Sequence, residues 1–158
     1  MLRAVPKGWF SWDFTIFDGE RAIGTIDLAW VREAGELSLD GATYRVYREG
    51  LLGGAFILEK DGQVLARADK PSALTRSFTV EYNGTRYTLE AESALRQKFV
   101  LSRAGREIGA VRPEHAFTYR AIIDLPEDMA LPVKVFVTWL AVILWKRDAE
   151  ASASASAG

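Results

Sequence analysis

The side chains best suited to acid–base chemistry stand apart from the partners that a catalytic site needs. His115 is the only histidine, and no serine or cysteine nucleophile motif accompanies it; we interpret it as an exposed loop residue. Glu90 and Glu92 are two positions apart on a predicted strand, so they share a face, where paired carboxylates can transfer protons. Carboxylates at this spacing more often solvate the outer face of a sheet. These residues therefore favour a protein that is not an enzyme.

Two further motifs have a structural explanation. Gly50-Leu-Leu-Gly-Gly54 is rich in glycine but lacks the Lys-Ser/Thr of a phosphate-binding loop, so we interpret it as a bend between strands. Asn83-Gly84-Thr85 matches the glycosylation acceptor pattern, but Asn-Gly is also a strong hairpin signal, and we prefer the hairpin. The chain has no cysteine, which excludes a disulfide framework, a zinc–thiolate site and a cysteine nucleophile. We expect no cofactor and no metal.

Charge is distributed unevenly along the chain. The formal net charge of −1 does not suggest a nucleic-acid-binding protein, because such proteins usually have a basic balance. Residues 85–120, however, contain seven basic and four acidic side chains, whereas residues 1–50 contain six and eight. Around a predicted hairpin tip in the basic region, Lys98, Arg103 and Arg106 are the candidates for contact with anionic lipid, since anionic membranes attract Lys and Arg.

The two ends of the chain carry different signals. The first residues contain no apolar run of signal-peptide length, because the aromatic residues there alternate with polar ones. We therefore expect a cytoplasmic protein, which lies peripherally at a membrane if it binds lipid. Residues 1–148 are predicted to form one domain, as is usual for this length. Residues 149–158 are mostly Ala and Ser with no large apolar group to bury, and we predict a disordered tail.

Three segments repeat one pattern at a spacing of about 42 residues: Phe14–Asp27, Phe56–Asp69 and Phe99–Arg112. Each begins with Phe, has Ile or Leu two residues later, and then has a glycine at a turn. A second aliphatic residue follows nine positions after the Phe, and a small residue stands next to it. Apolar runs around an X-Gly pair predict a hairpin, and the small residue predicts a bend or a close backbone approach.

Further hairpins are predicted between these copies. Residues 78–82 alternate between apolar and polar before Asn83-Gly84, and residues 37–46 repeat this layout around an Asp-Gly pair. The unit is thus two hairpins, or four strands, and it occurs nearly three times; in the third unit Phe117–Leu125 supplies one more strand. Propeller blades have a similar period, but a closed propeller typically needs at least about four of them. The pattern predicts a mainly β protein with one antiparallel barrel of about 12 strands, because closure removes exposed edges.

An apolar segment, Val133–Trp145, follows the strands. From Val135 to its end only Thr138 is polar, so a helix here is apolar on all sides and needs protein or lipid around it. Three structures compete: a transmembrane helix, which needs about 20 apolar residues; a buried strand, which is usually shorter than this segment; and a helix enclosed by the barrel. Because Lys134 interrupts it, the apolar run is too short for a transmembrane helix, and it is longer than a usual buried strand. We therefore favour the enclosed helix.

This layout resembles the tubby C-terminal-like superfamily, in which an antiparallel barrel surrounds a C-terminal apolar helix. The resemblance is carried by the hairpins Phe56–Asp69 and Phe99–Arg112, the strand Phe117–Asp124 and the segment Phe136–Trp145, and it covers residues 9–148. Within the superfamily the chain looks most like the LURP-one-related proteins, while phospholipid scramblases are more distant relatives.

The resemblance implies a surface that binds phosphoinositides or membranes through basic residues, as in tubby domains. The palmitoylated cysteines of scramblases do not carry over, because the chain has none, and no Asp-rich calcium loop is visible. The first hypothesis is therefore a non-enzymatic domain that binds anionic phospholipid. The alternatives are a structural or protein-interaction scaffold with no small ligand, and a barrel that carries an apolar ligand. The enclosed helix disfavours the carrier because it occupies the interior.

Overall fold

The fold consists of strands that surround one long helix. The computed structural model describes residues 1–9, 11–29, 32–50, 53–72, 75–93, 96–116 and 118–157. The strands in this part of the chain are β1 (Leu2–Pro6), β2 (Phe14–Asp18), β3 (Arg21–Leu28), β4 (Ala34–Leu39), β5 (Ala42–Arg48), β6 (Phe56–Lys60), β7 (Gln63–Asp69), β8 (Ser77–Tyr82), β9 (Thr85–Ser93), β10 (Arg96–Arg103), β11 (Arg106–Pro113) and β12 (Ala121–Asp124). The helix α1 spans Leu131–Ala157.

The twelve strands of the described residues form one closed antiparallel barrel, which confirms the predicted fold class. Each strand pairs with its sequence neighbours, and β1 pairs with both β2 and β12. The repeated units are β2–β5, β6–β9 and a third unit in which β1 completes β10–β12. The hydrophobic pattern does not reveal β1, because Ala4 is the one fully buried side chain among its five residues.

The barrel has two different ends. One end carries five two-residue turns, at residues 19–20, 40–41, 61–62, 83–84 and 104–105, and we call it the turn rim. The connections that follow β1, β3, β5, β7, β9 and β11 lie at the opposite end, which we call the loop rim. The predicted Asn-Gly turn is confirmed, since Asn83 and Gly84 have φ angles of 50° and 73°, as the hairpin turn of mirrored type I requires.

The three repeated hairpins share a bulge and a small residue on the return strand. Pairing shifts by one residue at the same place in each hairpin: Ile16/Phe17, Leu58/Glu59 and Leu101/Ser102. A Cβ added to Gly24 would lie 2.2 Å from the carbonyl oxygen of Ser38, and one added to Gly109 would lie 2.4 Å from that of Asp124. The predicted close backbone approach is therefore confirmed at these two glycines.

Helix α1 runs through the barrel and forms its core. Val133 and every residue from 135 to 145 are buried, and they form one apolar cluster with the inward side chains of the strands. The repeated Phe14, Phe56 and Phe99 are all fully buried in this cluster, and the Phe56 ring packs edge-on against Trp139. The prediction of an enclosed apolar helix is confirmed.

Of the three polar side-chain groups on this part of the helix, two are hydrogen-bonded, whereas Nε1 of Trp139 is buried without a partner among the described residues. The Thr138 hydroxyl donates to the carbonyl oxygen of Lys134 over 2.9 Å, and Nε1 of Trp145 donates to the carbonyl oxygen of Gln97 over 2.9 Å. No helical segment among the described residues combines the length and the apolar character needed to cross a bilayer.

The helix extends further than the predicted Val133–Trp145. Its 27 residues span about 40 Å, whereas the nine residues of β9 span about 30 Å, so α1 projects beyond the loop rim. The predicted disordered tail at 149–158 is wrong for residues 149–157, which are helical. The buried segment provides the helix nucleus, and alanine has the highest helix propensity. Gly158 lies outside the described residues.

The last strand is shorter than predicted. β12 covers only Ala121–Asp124, not the whole of Phe117–Leu125. Phe117 lies outside the described residues, and residues 118–120 belong to the connection before β12, which the amide of Glu114 closes by donating to the carbonyl oxygen of Arg120 over 2.7 Å.

Candidate functional site

The three cations predicted to contact lipid do not lie together. Arg103 and Arg106 face each other across turn 104–105, at the turn rim. Lys98 lies toward the other end of β10, about 17 Å away along the strand, and its Nζ is 3.0 Å from Oε1 of Glu92. A single headgroup therefore cannot contact all three side chains.

The surroundings of Arg103 and Arg106 are acidic. At the five turns and in the β12–α1 connection, acidic side chains outnumber basic ones. The acidic residues are Asp18, Glu20, Asp40, Asp61, Glu81, Glu107, Glu127 and Asp128, and the basic ones are Arg21, Lys60, Arg86, Arg103 and Arg106. Like charge repels an anionic membrane, so the turn rim is not the end that favours lipid contact.

The candidate acid–base residues are not assembled into a site. His115 is exposed, and its Nδ1 lies 2.8 Å from the carbonyl oxygen of the next residue. Glu90 and Glu92 are exposed on β9, and the second of them pairs with Lys98. Within the described ranges no three His, Asp or Glu side chains come close enough to hold a metal ion.

Charged side chains gather at the loop rim where α1 leaves the barrel. Glu33, just before β4, accepts from two arginines: its Oε1 is 2.7 Å from Nε of Arg147, and its Oε2 is 3.3 Å from Nη1 of Arg48. The Arg48 guanidinium also lies over the Phe56 ring, 5.2 Å from its centroid. We call Glu33, Arg48, Arg147 and the nearby Lys70, which follows β7, the exit cluster.

Positive charge is in excess in the exit cluster. Partial burial lowers the pKa of Lys70, and the like charges of Arg147 and Arg48 lower it further, while Glu33 and Asp148 act in the opposite direction. Asp148 is itself paired with an arginine. Glu33 alone in the cluster carries negative charge, and it faces both Arg48 and Arg147, so positive charge exceeds negative charge among these three side chains.

A cavity of about 280 Å³ adjoins the exit cluster, between α1 and the β3–β4 connection. Its lining combines an apolar floor with a charged edge: Leu28, Trp139 and Ile143, then Arg32, Glu33, Lys146, Arg147 and Glu150. Lys146 is 2.8 Å from Glu150. Arg32 is exposed and forms no ion pair with any other described residue, so its guanidinium is available to a ligand.

An exposed aromatic side chain lies at the same rim. Trp9 is 98% exposed and belongs to the β1–β2 connection, which neighbours the β3–β4 connection around the barrel. Tryptophan is favoured at the interface between lipid headgroups and acyl chains. The loop rim thus offers an exposed aromatic side chain on the same end of the barrel as the arginines of the exit cluster.

The sequence contains a signal for part of this site that charge counting misses. Arg32, Arg48 and Lys70 all lie in or beside connections that are longer than a two-residue X-Gly turn. Because successive connections alternate between the two ends of an antiparallel barrel, these residues share a rim. Arg147 cannot be placed in this way, since its position depends on the direction in which α1 crosses the barrel.

Comparison of the chain with protein-family models, with curated proteins and with solved structures gives no match. The resemblance to the tubby-like and LURP-one-related proteins therefore remains a prediction from the layout of strands and helix.

Proposed function

We propose that the chain is a non-enzymatic domain that binds anionic phospholipid headgroups at the exit cluster. The observation that supports this best is the excess of cations around Glu33, because phosphate oxygens accept charge-assisted hydrogen bonds from Lys and Arg. Arg32 and the adjoining cavity extend the basic surface. Trp9 adds an aromatic side chain suited to the membrane interface.

The projecting helix determines how a bilayer reaches this site. Residues 151–157 are exposed and add roughly 10 Å of helix beyond Glu150, so a flat membrane cannot contact the whole loop rim. Contact is made instead by one flank, which consists of the consecutive connections after β1, β3, β5 and β7. These connections carry Trp9, Arg32 and Lys70, with Arg48 at the end of β5.

Vesicle co-sedimentation tests the proposal with two matched double variants. Arg32→Gln with Lys70→Gln removes two cations of the flank but leaves both arginines on Glu33 in place. Since each cation near an anionic surface contributes about 1 kcal/mol, binding should weaken roughly thirty-fold. Arg103→Gln with Arg106→Gln removes the same charge at the turn rim and should bind like the unmodified chain, and Lys98→Gln should do the same.

The vesicles contain phosphatidylcholine alone, or with phosphatidylserine or a phosphoinositide, at physiological salt. Equal sedimentation with neutral and anionic vesicles would contradict the proposed binding of anionic headgroups. If the Arg103/Arg106 variant lost binding and the Arg32/Lys70 variant retained it, the exit cluster would be the wrong site. Recovery of a stable protein partner together with no vesicle binding would favour the alternative, a protein-interaction scaffold.

A further inference from the structure

A second cavity opens at the turn rim, beside the residues that lead into α1. Its volume is about 270 Å³, slightly below the common range for small-molecule sites, roughly 300–1,000 Å³. Ile108 and Met129 form an apolar floor, and Tyr82, Tyr87, Arg103 and Asp128 contribute polar groups. It lies at the opposite end of the barrel from the exit cluster.

The polar groups of this cavity have no partners within the described part of the chain. Tyr87 is only 9% exposed, yet its hydroxyl makes no hydrogen bond there, nor does that of Tyr82. Arg103 and Asp128 line the same cavity but form no ion pair with each other or with any other described residue. The two tyrosine hydroxyls, the Arg103 guanidinium and the Asp128 carboxylate line one cavity without pairing with one another, so they are available to a ligand that enters it.

The charges restrict the chemistry of that ligand. Arg103 and the tyrosine hydroxyls suit a carboxylate, because both are hydrogen-bond donors. Asp128, together with the neighbouring acidic turns, disfavours a dianion such as phosphate and favours a cation. Opposite charges held apart over an apolar floor match a small molecule that carries both charges and an apolar group.

We infer that the turn-rim cavity binds a small zwitterion of the α-amino acid class. Its carboxylate faces Arg103 and Tyr87, its ammonium group faces Asp128, and its side chain rests on Ile108 and Met129. This inference does not depend on lipid binding at the exit cluster, because the two sites share no residue.

NMR titration of the full chain with L-leucine tests this inference. Leucine should shift the amide signals of the cavity residues. Two analogues should bind at least about tenfold more weakly: L-leucinamide, which lacks the carboxylate, and N-acetyl-L-leucine, which lacks the ammonium group. Inorganic phosphate should leave these signals unchanged. Absence of leucine-dependent shifts at millimolar concentration, equal binding of all three leucine compounds, or tighter binding of phosphate would overturn the inference.

Matched variants locate the binding. Arg103→Gln and Tyr87→Phe should each weaken leucine binding about tenfold, because each removes a hydrogen bond to a charged group. Arg106→Gln, at the same turn but outside the cavity lining, should bind leucine normally. Arg103 and Arg106 are both exposed, so their replacement should preserve the fold, and the thermal transition of each variant verifies this. Unchanged leucine binding in both Arg103→Gln and Tyr87→Phe would overturn the assignment.

Discussion

Lys70 occupies a position that is unfavourable for its charge. Its pKa is lowered by partial burial and by the charges of Arg147 and Arg48. Below this lowered pKa the side chain is charged in both the folded and the unfolded chain, and the repulsion and partial burial of that charge destabilise the folded state. As pH rises through the lowered pKa toward 10.5, Lys70 loses its proton in the folded state first. The destabilising charge is thereby removed, and the free energy of unfolding increases.

Replacing Lys70 with Gln should therefore stabilise the unliganded domain at pH 7. The gain should be below about 1 kcal/mol, because the group is partly exposed and screened by solvent. Urea unfolding at pH 7 and at pH 10.5 measures it, and the difference from the unmodified chain should be smaller at the higher pH. Lys60→Gln, at the turn rim, is the control. A destabilised Lys70→Gln variant at pH 7 would show that favourable contacts of Lys70 outweigh the repulsion.

Single residues differ in how far the sequence predicts their environment. The turn at Asn83-Gly84 was predictable, because few residues adopt positive φ and the requirement is local. Ion pairs were not predictable in the same way. Arg147 and Glu33 are 114 positions apart, and their contact depends on the length, direction and rotation of α1 inside the barrel. The candidate site in the structure therefore differs from the basic stretch that the sequence predicts, because its residues are brought together only by the folded barrel.

At the scale of elements, α1 consists of two parts with different causes. The part up to residue 145 is helical and buried because the barrel supplies apolar contacts on every side. The part from 151 onward is exposed and continues because an existing helix adds alanine at little cost. The apolar run of the sequence predicts the first part. The second part is not predictable in this way, because a run of Ala and Ser with no large apolar side chain is equally typical of a disordered segment.

Removing residues 151–158 should leave the stability of the domain unchanged within about 0.5 kcal/mol, since residues 151–157 are exposed and exposed changes have small effects. Circular dichroism should show less helical signal per chain, and urea unfolding should give the same midpoint. Binding to anionic vesicles should not weaken, because the flank of the loop rim remains intact. A lower unfolding midpoint would show that these residues contact the barrel after all.

At the scale of the whole molecule, closure depends on a short strand distant in sequence from one of its partners. β1 pairs with β2 through five residue pairs and with β12 through three, although its one fully buried side chain is Ala4. Its contribution is therefore mainly backbone pairing, which leaves no hydrophobic pattern for sequence reasoning to detect. The repeat accounts for the eleven strands β2–β12, and β1 could not be identified from it.

Removing residues 1–7 should open the barrel between β2 and β12 and leave both edges unpaired. Exposed edges recruit other strands, so size-exclusion chromatography should show larger oligomers or aggregate in place of the species that the intact chain forms. A synthetic peptide of residues 1–8, added during refolding, should restore that species by strand addition. A shortened chain that elutes like the intact chain and has an unchanged unfolding midpoint would show that closure is dispensable. The variant lacking 151–158 is the control for shortening as such.

The order of elements also has a consequence for biosynthesis. The core helix follows all twelve described strands, so a ribosome completes every strand before it makes the segment around which they pack. During that interval the inward rings of Phe14, Phe56 and Phe99 have no helix to cover them. The barrel therefore completes its fold only after residues 131–145 have left the ribosome. Its nascent chain is a natural client for chaperones that bind exposed apolar strands.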